Sequence, residues 1–328
     1  NDVLINLKAV GLNHFDLDVC GGISGYLSLD MPHILGCEGA GEIAEVGSAV
    51  DAFRAGDRVM PFLTTSSGQC RHRICNCALG MDNICLDFDK LGVTRWGTYA
   101  EYVKVSQHNV IRMPDELPFV DAAATQVAFA TAWELVINKA HVRQGEDVLI
   151  NAAGSGVGMA GIQIAKALGA RVLTSAGSDE RVERGRQLGA EAGVNYSSQN
   201  VTEELLRLTD GRGVDMVLDT VGGAIFDATL SALAQGGRVV TVGGHTGERS
   251  EYEEQELAKK GQWVRAMGVF NEAQDDVDQR GWAQMKSWFE SGTLRTVVQE
   301  VLPWTEAKGV QELLASRGVF GKLVMEVR

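Results

Sequence analysis

Residues 147–169 read DVLINAAGSGVGMAGIQIAKALG, and the fold follows from this stretch. Val148-Leu149-Ile150 is a short apolar run of the kind a buried parallel strand requires. It leads into Ala152-Ala153-Gly154-Ser155-Gly156-Val157-Gly158, a turn of residues with almost no side chain. Val157, Gly161, Ile164 and Leu168 then recur at helical spacing. Strand, small-residue turn and helix together present free backbone N–H groups and a helix N-terminus to a pyrophosphate. Gly154, Ser155, Gly156, Val157 and Gly158 are the expected cradle. Gly156 allows close approach of the phosphates, and Gly158 allows close packing of helix on sheet.

The surroundings support a dinucleotide site over a ligand-free turn. Further apolar runs follow at Ala170–Ser175, Val214–Asp219 and Gly237–Gly244, with helical patterns between them. Alternation of strand and helix predicts an α/β unit with a doubly wound parallel sheet. The 328 residues are long enough for two domains. Before residue 118 the alternation is absent: Ile5–Val10, Gly39–Val46, Asp57–Met60 and Tyr99–Val105 are short β-like pieces broken by glycine.

A net charge of −13 with no basic run argues against nucleic acid or an anionic membrane as partner. No apolar run approaches the roughly 18 residues of a membrane span. Four of the six cysteines crowd into residues 70–85. That distribution suits a reduced, cytoplasmic protein with a local metal site better than a disulfide framework.

Residues 9–16 (AVGLNHFD), 35–47 (LGCEGAGEIAEVG), 55–60 (AGDRVM), 151–158 (NAAGSGVG) and 321–327 (GKLVMEV) resemble, in order and spacing, the medium-chain dehydrogenase/reductase superfamily. The nearest branch holds the quinone oxidoreductases and the zinc-type alcohol dehydrogenase-like proteins with an LNHxDL motif. The resemblance spans the whole chain. It implies a GroES-like, β-rich catalytic domain over 1–127, with 268–328 returning to it, and a Rossmann domain over 128–267.

Zinc-dependent members of that superfamily open the first motif with Cys, carry a His-Glu pair in the second, and take a further ligand from just before the Rossmann domain. Here those positions hold Asn13, Cys37 with Glu38, and Val127, and Phe15 stands where a proton-relaying hydroxyl is expected. Loss of the electrophile favours acceptors already activated toward hydride, namely quinones and α,β-unsaturated carbonyls. Asn13 is a candidate to hold the developing oxyanion, or it braces its loop. The resemblance brings His14 toward the cofactor pyrophosphate, and a plain surface imidazole is the alternative. Asp16 reads as structural and Cys37 as a buried thiol. A zinc site rebuilt from Cys37, Glu38, His14 or His33 would instead give an alcohol dehydrogenase or carbonyl reductase.

Cys70, Cys75, Cys77 and Cys85 form C-x4-C-x-C-x7-C. Relatives with a structural zinc lobe have C-x2-C-x2-C-x7-C, so only the last spacing is kept. Four thiolates this close can enclose one structural zinc, and a metal-free lobe is the alternative.

The end of the second Rossmann strand bears on the cofactor. NAD-specific members place an acid there to bind the ribose hydroxyls; this chain has Ala176, followed by Ser178 and Arg181. A serine hydroxyl and a guanidinium suit a 2′-phosphate, although Asp179 and Glu180 lie beside them. Tyr196 matches a tyrosine that flanks the adenosine phosphate in quinone oxidoreductases, and Gly243 and Gly244 lie where the family contacts the nicotinamide. The expectation is an NADPH-dependent reductase of quinones or enones without catalytic zinc, forming a homodimer through its Rossmann sheet edges. A non-catalytic NADPH-binding protein is the third reading.

Overall fold

A computed structural model describes residues 1–22, 31–65, 89–243, 252–267 and 281–327. The chain forms two compact units, Asn1–Ala130 with Val269–Arg328, and Thr131–Gly268.

The first unit begins with β1 (Asp2–Gly11), whose side chains alternate between core and surface over its first half. The helix α1 (His14–Cys20) follows, then β2 (Gly39–Val46), β3 (Arg58–Pro61), a short β4 (Thr64–Thr65) paired with β5 (Asp89–Lys90), β6 (Tyr102–Ser106) and β7 (Val110–Arg112). β1 is the hub, pairing antiparallel with β2 and β6 and with the last strand of the chain, Lys322–Glu326. Val3, Ile5, Leu7, Ile43, Val103, Val105, Leu323 and Met325 close a core on one face of this sheet. The four expected strands are found here: Gly39–Val46 as read, and the other three with ends displaced by up to three residues.

Residues 120–140, whose pattern predicts one entering helix, are instead broken. α2 (Phe119–Ala122) starts after Pro118 and ends in a turn, and α3 (Gln126–Trp133) starts afresh and runs into a π-helical stretch, Glu134–Lys139. The Thr125 hydroxyl donates to the Ala122 carbonyl at 2.7 Å within the turn. This hydroxyl competes with backbone pairing, as Ser and Thr side chains do at turns. Because α3 restarts there, its first-turn N–H groups have no helical acceptor, which becomes important below.

In the second unit, β8 (Asp147–Ile150), β9 (Arg171–Ala176), β10 (Ala192–Asn195), β11 (Val214–Asp219), β12 (Leu233–Thr241) and β13 (Trp263–Ala266) form one parallel sheet in the order β10-β9-β8-β11-β12-β13. This is the doubly wound arrangement, with its reversal of strand order between β8 and β11. α4 (Gly156–Ala167) follows β8 and α5 (Asp179–Leu188) follows β9. Val148, Leu149 and Ile150 are fully buried, as a central strand covered on both faces must be. At the N-terminal ends of the strands, Arg171 and Arg212 converge on Asp147, and Arg238 grips Glu146 at 2.7 Å. The opposite ends of the strands are left for the glycine-rich turn.

α1 is held by a buried acid. Asp16, 3% exposed, accepts the Asn13 N–H at 2.9 Å and the Tyr99 hydroxyl at 3.2 Å. Burial outweighs these two hydrogen bonds and the Lys322 charge, so the Asp16 carboxyl is pushed up to about 6. The folded state thus holds this proton more tightly than the unfolded chain, whose value is near 3.8. Stability from this group is complete at low pH and is lost as pH rises from about 4 through about 6. Asp16→Asn removes the titration while keeping an acceptor oxygen. Its unfolding free energy relative to wild type should therefore rise by about 2 kcal/mol between pH 4 and pH 7. Urea denaturation across that range measures this; a pH-independent difference would contradict it.

Candidate active site

In the first unit, four segments far apart in sequence meet at one buried charge pair. Glu38 is 0% exposed and Lys322 is 4% exposed. The Lys322 ammonium donates to Glu38 Oε1 at 2.5 Å, to Asn13 Oδ1 at 2.7 Å and to the Leu12 carbonyl at 2.6 Å. Those partners use all three ammonium hydrogens. Glu38 Oε1 also accepts from Asn13 Nδ2 at 2.8 Å, and Oε2 accepts from the Val127 N–H at 2.9 Å. That N–H is one of the first-turn donors freed by the restart of α3.

The backbone is shaped for this contact. A Cβ on Gly11 would stand 2.2 Å from the Ala123 carbonyl oxygen and 2.5 Å from Glu38 Oε1. Gly36, just before Cys37, has φ +99°, and a Cβ there would strike the Tyr99 ring. Thr98 Oγ1 fixes the Glu38 carbonyl at 2.8 Å.

Asn13, Cys37, Glu38 and Val127, singled out in the sequence as the superfamily's ligand positions, are thus neighbours. Lys322 was not singled out. Its signal was a lysine opening an otherwise apolar strand, KLVM, directly after Gly321. The Asn13 amide lies inside the cluster: its oxygen accepts from Lys322, and Nδ2 donates to Glu38 and, at 3.4 Å, to Cys37 Sγ. Burial, and then the charges of Asp16 and Glu38, raise the Cys37 thiol well above its ordinary range. It stays protonated at neutral pH, so no nucleophile results, since that needs the thiolate. His14 is the first residue of α1 and is half-buried. Among the described residues, no three His, Cys, Asp or Glu side chains converge in a way that could hold a metal ion. Cys70, Cys75, Cys77 and Cys85 lie outside the described residues, as does Gly244.

In the second unit, the glycine-rich turn has the geometry of an anion cradle. Ala152 has φ 58°, a left-handed conformation unusual for a residue with a side chain. The turn then enters α4, capped by the Ser155 hydroxyl, which accepts from the Gly158 N–H at 2.9 Å. The Gly156 and Val157 N–H groups of the first turn have no intrahelical acceptor and face outward with the helix dipole. A Cβ on Gly158 would sit 2.1 Å from the Ala152 carbonyl oxygen, so only glycine fits. Here the expectation needs correction: Gly158 closes on the turn itself. Close packing on the sheet falls to Gly161, whose Cβ would lie 3.2 Å from Leu218 and 3.5 Å from Ile150.

Beneath the turn lies a polar group that sequence reasoning missed. Ser175 Oγ donates to Asn151 Oδ1 at 2.7 Å, and Asn151 Nδ2 donates to Asp219 Oδ1 at 2.9 Å. Asp219 Oδ2 then accepts the Gly222 N–H at 2.9 Å. All three side chains are fully buried. They tie the C-terminal ends of β8, β9 and β11 together on both sides of the strand-order reversal, where ligands bind in such sheets.

At the end of β9, Ser178 caps α5 by accepting the Arg181 N–H at 3.3 Å. The Asp179 carboxylate is turned to Asn195 Nδ2 at 2.8 Å. Tyr196 packs against Gly177, where a Cβ would be 3.1 Å from the phenol oxygen. Gly243, past β12, has φ 82°. A nicotinamide dinucleotide fits this unit: an anion cradle at a helix N-terminus, glycine at the points of close approach, and no acid at the strand end.

Comparison with known proteins agrees with this anatomy. Residues 1–115 match the family model of the alcohol dehydrogenase GroES-like domain, and residues 156–287 match that of the zinc-binding dehydrogenases. The quinone oxidoreductase of Sus scrofa is 28% identical over 326 residues, covering 99% of this chain and 89% of that protein. That of Pseudomonas aeruginosa is also 28% identical, with 99% and 90% covered. A solved structure named as an NAD-dependent alcohol dehydrogenase is 38% identical, with a TM-score of 0.91 over 100% of this chain and 92% of that one. Escherichia coli quinone oxidoreductase complexed with NADPH is 25% identical, with a TM-score of 0.82 over 99% and 91%. With a GroES-like domain, a Rossmann sheet and relatives matched along its full length, the chain is an oxidoreductase of the medium-chain dehydrogenase/reductase family.

Proposed function

We propose that the protein is an NADPH-dependent reductase that delivers hydride to a quinone or an α,β-unsaturated carbonyl without a catalytic zinc ion. One observation carries this reading: among the positions that the resemblance gives to the zinc site, the Lys322 ammonium donates to Glu38 Oε1 at 2.5 Å and to Asn13 Oδ1 at 2.7 Å. A cation already neutralises the carboxylate, its neighbours are an amide and a protonated thiol, and a divalent ion there would meet an ammonium charge.

When bound, the reduced nicotinamide supplies hydride, and the protein supplies binding, orientation and electrostatics. The Gly156 and Val157 N–H groups would hold the pyrophosphate, and the triad of Asn151, Ser175 and Asp219 would keep the surrounding loops in register. Preference for NADPH is supported by Ala176 at the strand end and by the bond from Asn195 that turns the Asp179 carboxylate aside. Ser178 keeps its hydroxyl hydrogen for a 2′-phosphate, and Arg181 and Tyr196 flank the same place. Gly243 completes the proposed cofactor contacts of this unit. In the other unit, Asn13 braces the charge pair and shapes the floor on which the acceptor rests.

The assembly we propose is a homodimer through the sheet edge at β13, whose residues are half-buried or exposed. The free thiols of Cys20 and Cys37 suit a cytoplasmic setting.

The rival reading, an alcohol dehydrogenase with a rebuilt metal site, is favoured by the name of the relative that is 38% identical. Oxidation of NADPH with 1,4-benzoquinone and a small enone, before and after chelation, separates the two. Turnover that survives chelation, with no oxidation of simple alcohols by NADP+, is expected. Alcohol oxidation abolished by chelation and restored by zinc would overturn the proposal. The charge pair has its own test. Lys322→Met strands a buried carboxylate and should cost about 3–5 kcal/mol of unfolding free energy. Adding Glu38→Gln should recover at least half of that loss, whereas an undiminished single variant would contradict the pairing.

A further inference from the structure

Resting on the reductase reading, we infer that Gln126 is the hydrogen-bond donor to the acceptor's carbonyl oxygen. Gln126 is 1% exposed, and neither its Nε2 nor its Oε1 has a hydrogen-bond partner among the described residues. Buried amides are almost always paired, so an orphaned one calls for an explanation such as a ligand or catalytic role. Its place in the chain supplies that explanation. It opens α3 immediately before Val127, whose N–H is fixed on Glu38. Gln126 is therefore the chain neighbour of a residue whose backbone is fixed on the Glu38 cluster.

The donors of the cluster are already directed inward. The Lys322 hydrogens go to Leu12, Asn13 and Glu38. Asn13 Nδ2 is directed to Glu38 and Cys37. Thr125 Oγ1 donates to the Ala122 carbonyl, and the Tyr99 hydroxyl to Asp16. Gln126 Nε2 alone among these keeps its hydrogens for a molecule from outside. A carbonyl oxygen that becomes negatively charged is the chemistry such a preformed amide donor serves.

The acceptor takes up hydride at the β-carbon of an enone, with the reduced nicotinamide of the proposed activity as the two-electron donor. The C=C π pair shifts and the oxygen gains the negative charge, which Gln126 Nε2–H stabilises. A proton from solvent then completes the saturated ketone. For a quinone the same electron count gives the hydroquinone after proton uptake.

Gln126→Leu and Gln126→Met keep the shape and remove the amide. Steady-state kinetics on the full chain, with NADPH and with 1,4-benzoquinone or 2-cyclohexenone, should show kcat/KM for the acceptor reduced 100-fold or more. The KM for NADPH should stay within about twofold, and the Tm of the cofactor-free protein should hold or rise, because an orphaned polar group has been removed. Acceptor kcat/KM within about threefold of wild type in the folded variants would overturn the assignment alone. So would a tenfold loss of NADPH affinity at unchanged kcat, which would put the amide on the nicotinamide. A lowered Tm in both variants would also overturn it, by showing that the amide is satisfied within the fold. Wild-type protein that turns over neither acceptor would overturn the reductase reading, and the assignment with it.

Discussion

The ammonium of Lys322 and the carboxylate of Glu38 meet at 2.5 Å in surroundings from which water is excluded. Two charges taken out of water are tolerated only when every donor and acceptor finds a partner. That condition dictates much of the first unit. Lys322 must open the last strand and Glu38 must precede β2, so both of these strands flank β1. Gly11 must lack a side chain so that Ala123 and Glu38 can approach β1. The entering helix must break so that Val127 presents a free N–H. Glu38 stands in the motif that resembles the His-Glu pair of zinc-dependent members, and its carboxylate is here paired with an internal cation.

The second unit solves a different problem, that of holding several loops at fixed positions beside one ligand. The parallel sheet brings the ends of β8, β9 and β11 together, but each loop begins from a separate strand. The Asn151, Ser175 and Asp219 side chains link those ends in a fully buried chain of hydrogen bonds. Such a network is rigid when satisfied and costly when broken. The strained φ of Ala152 sits directly above it. Backbone strain of this kind persists only where the surroundings over-determine the conformation.

The legible parts of the sequence were those with a short-range signal. Val148–Ile150 and the small-residue turn announce a strand and a phosphate cradle, because the pattern is local and the residue types are physically required. Val214–Asp219 is found as read. The break between Ala122 and Gln126 was not legible: six alanines and two phenylalanines between 119 and 132 read as one continuous helix. The interruption depends on the Thr125 hydroxyl and on the distant Glu38. Lys322 was illegible for the same reason, since its partners are Asn13 and Glu38, some 300 residues away in sequence. The motifs placed Asn13, Cys37 and Glu38 correctly as a group. No pattern in them revealed that a lysine from the other end of the chain completes the group.

Zinc content of the purified protein, measured per chain by elemental analysis, tests the central claim most directly. If Lys322 holds Glu38, the chain carries at most one zinc, and substitution of Cys77 and Cys85 by serine removes it. Two zinc ions per chain, or one that survives loss of those cysteines, would place a metal among the Glu38 cluster and contradict the account.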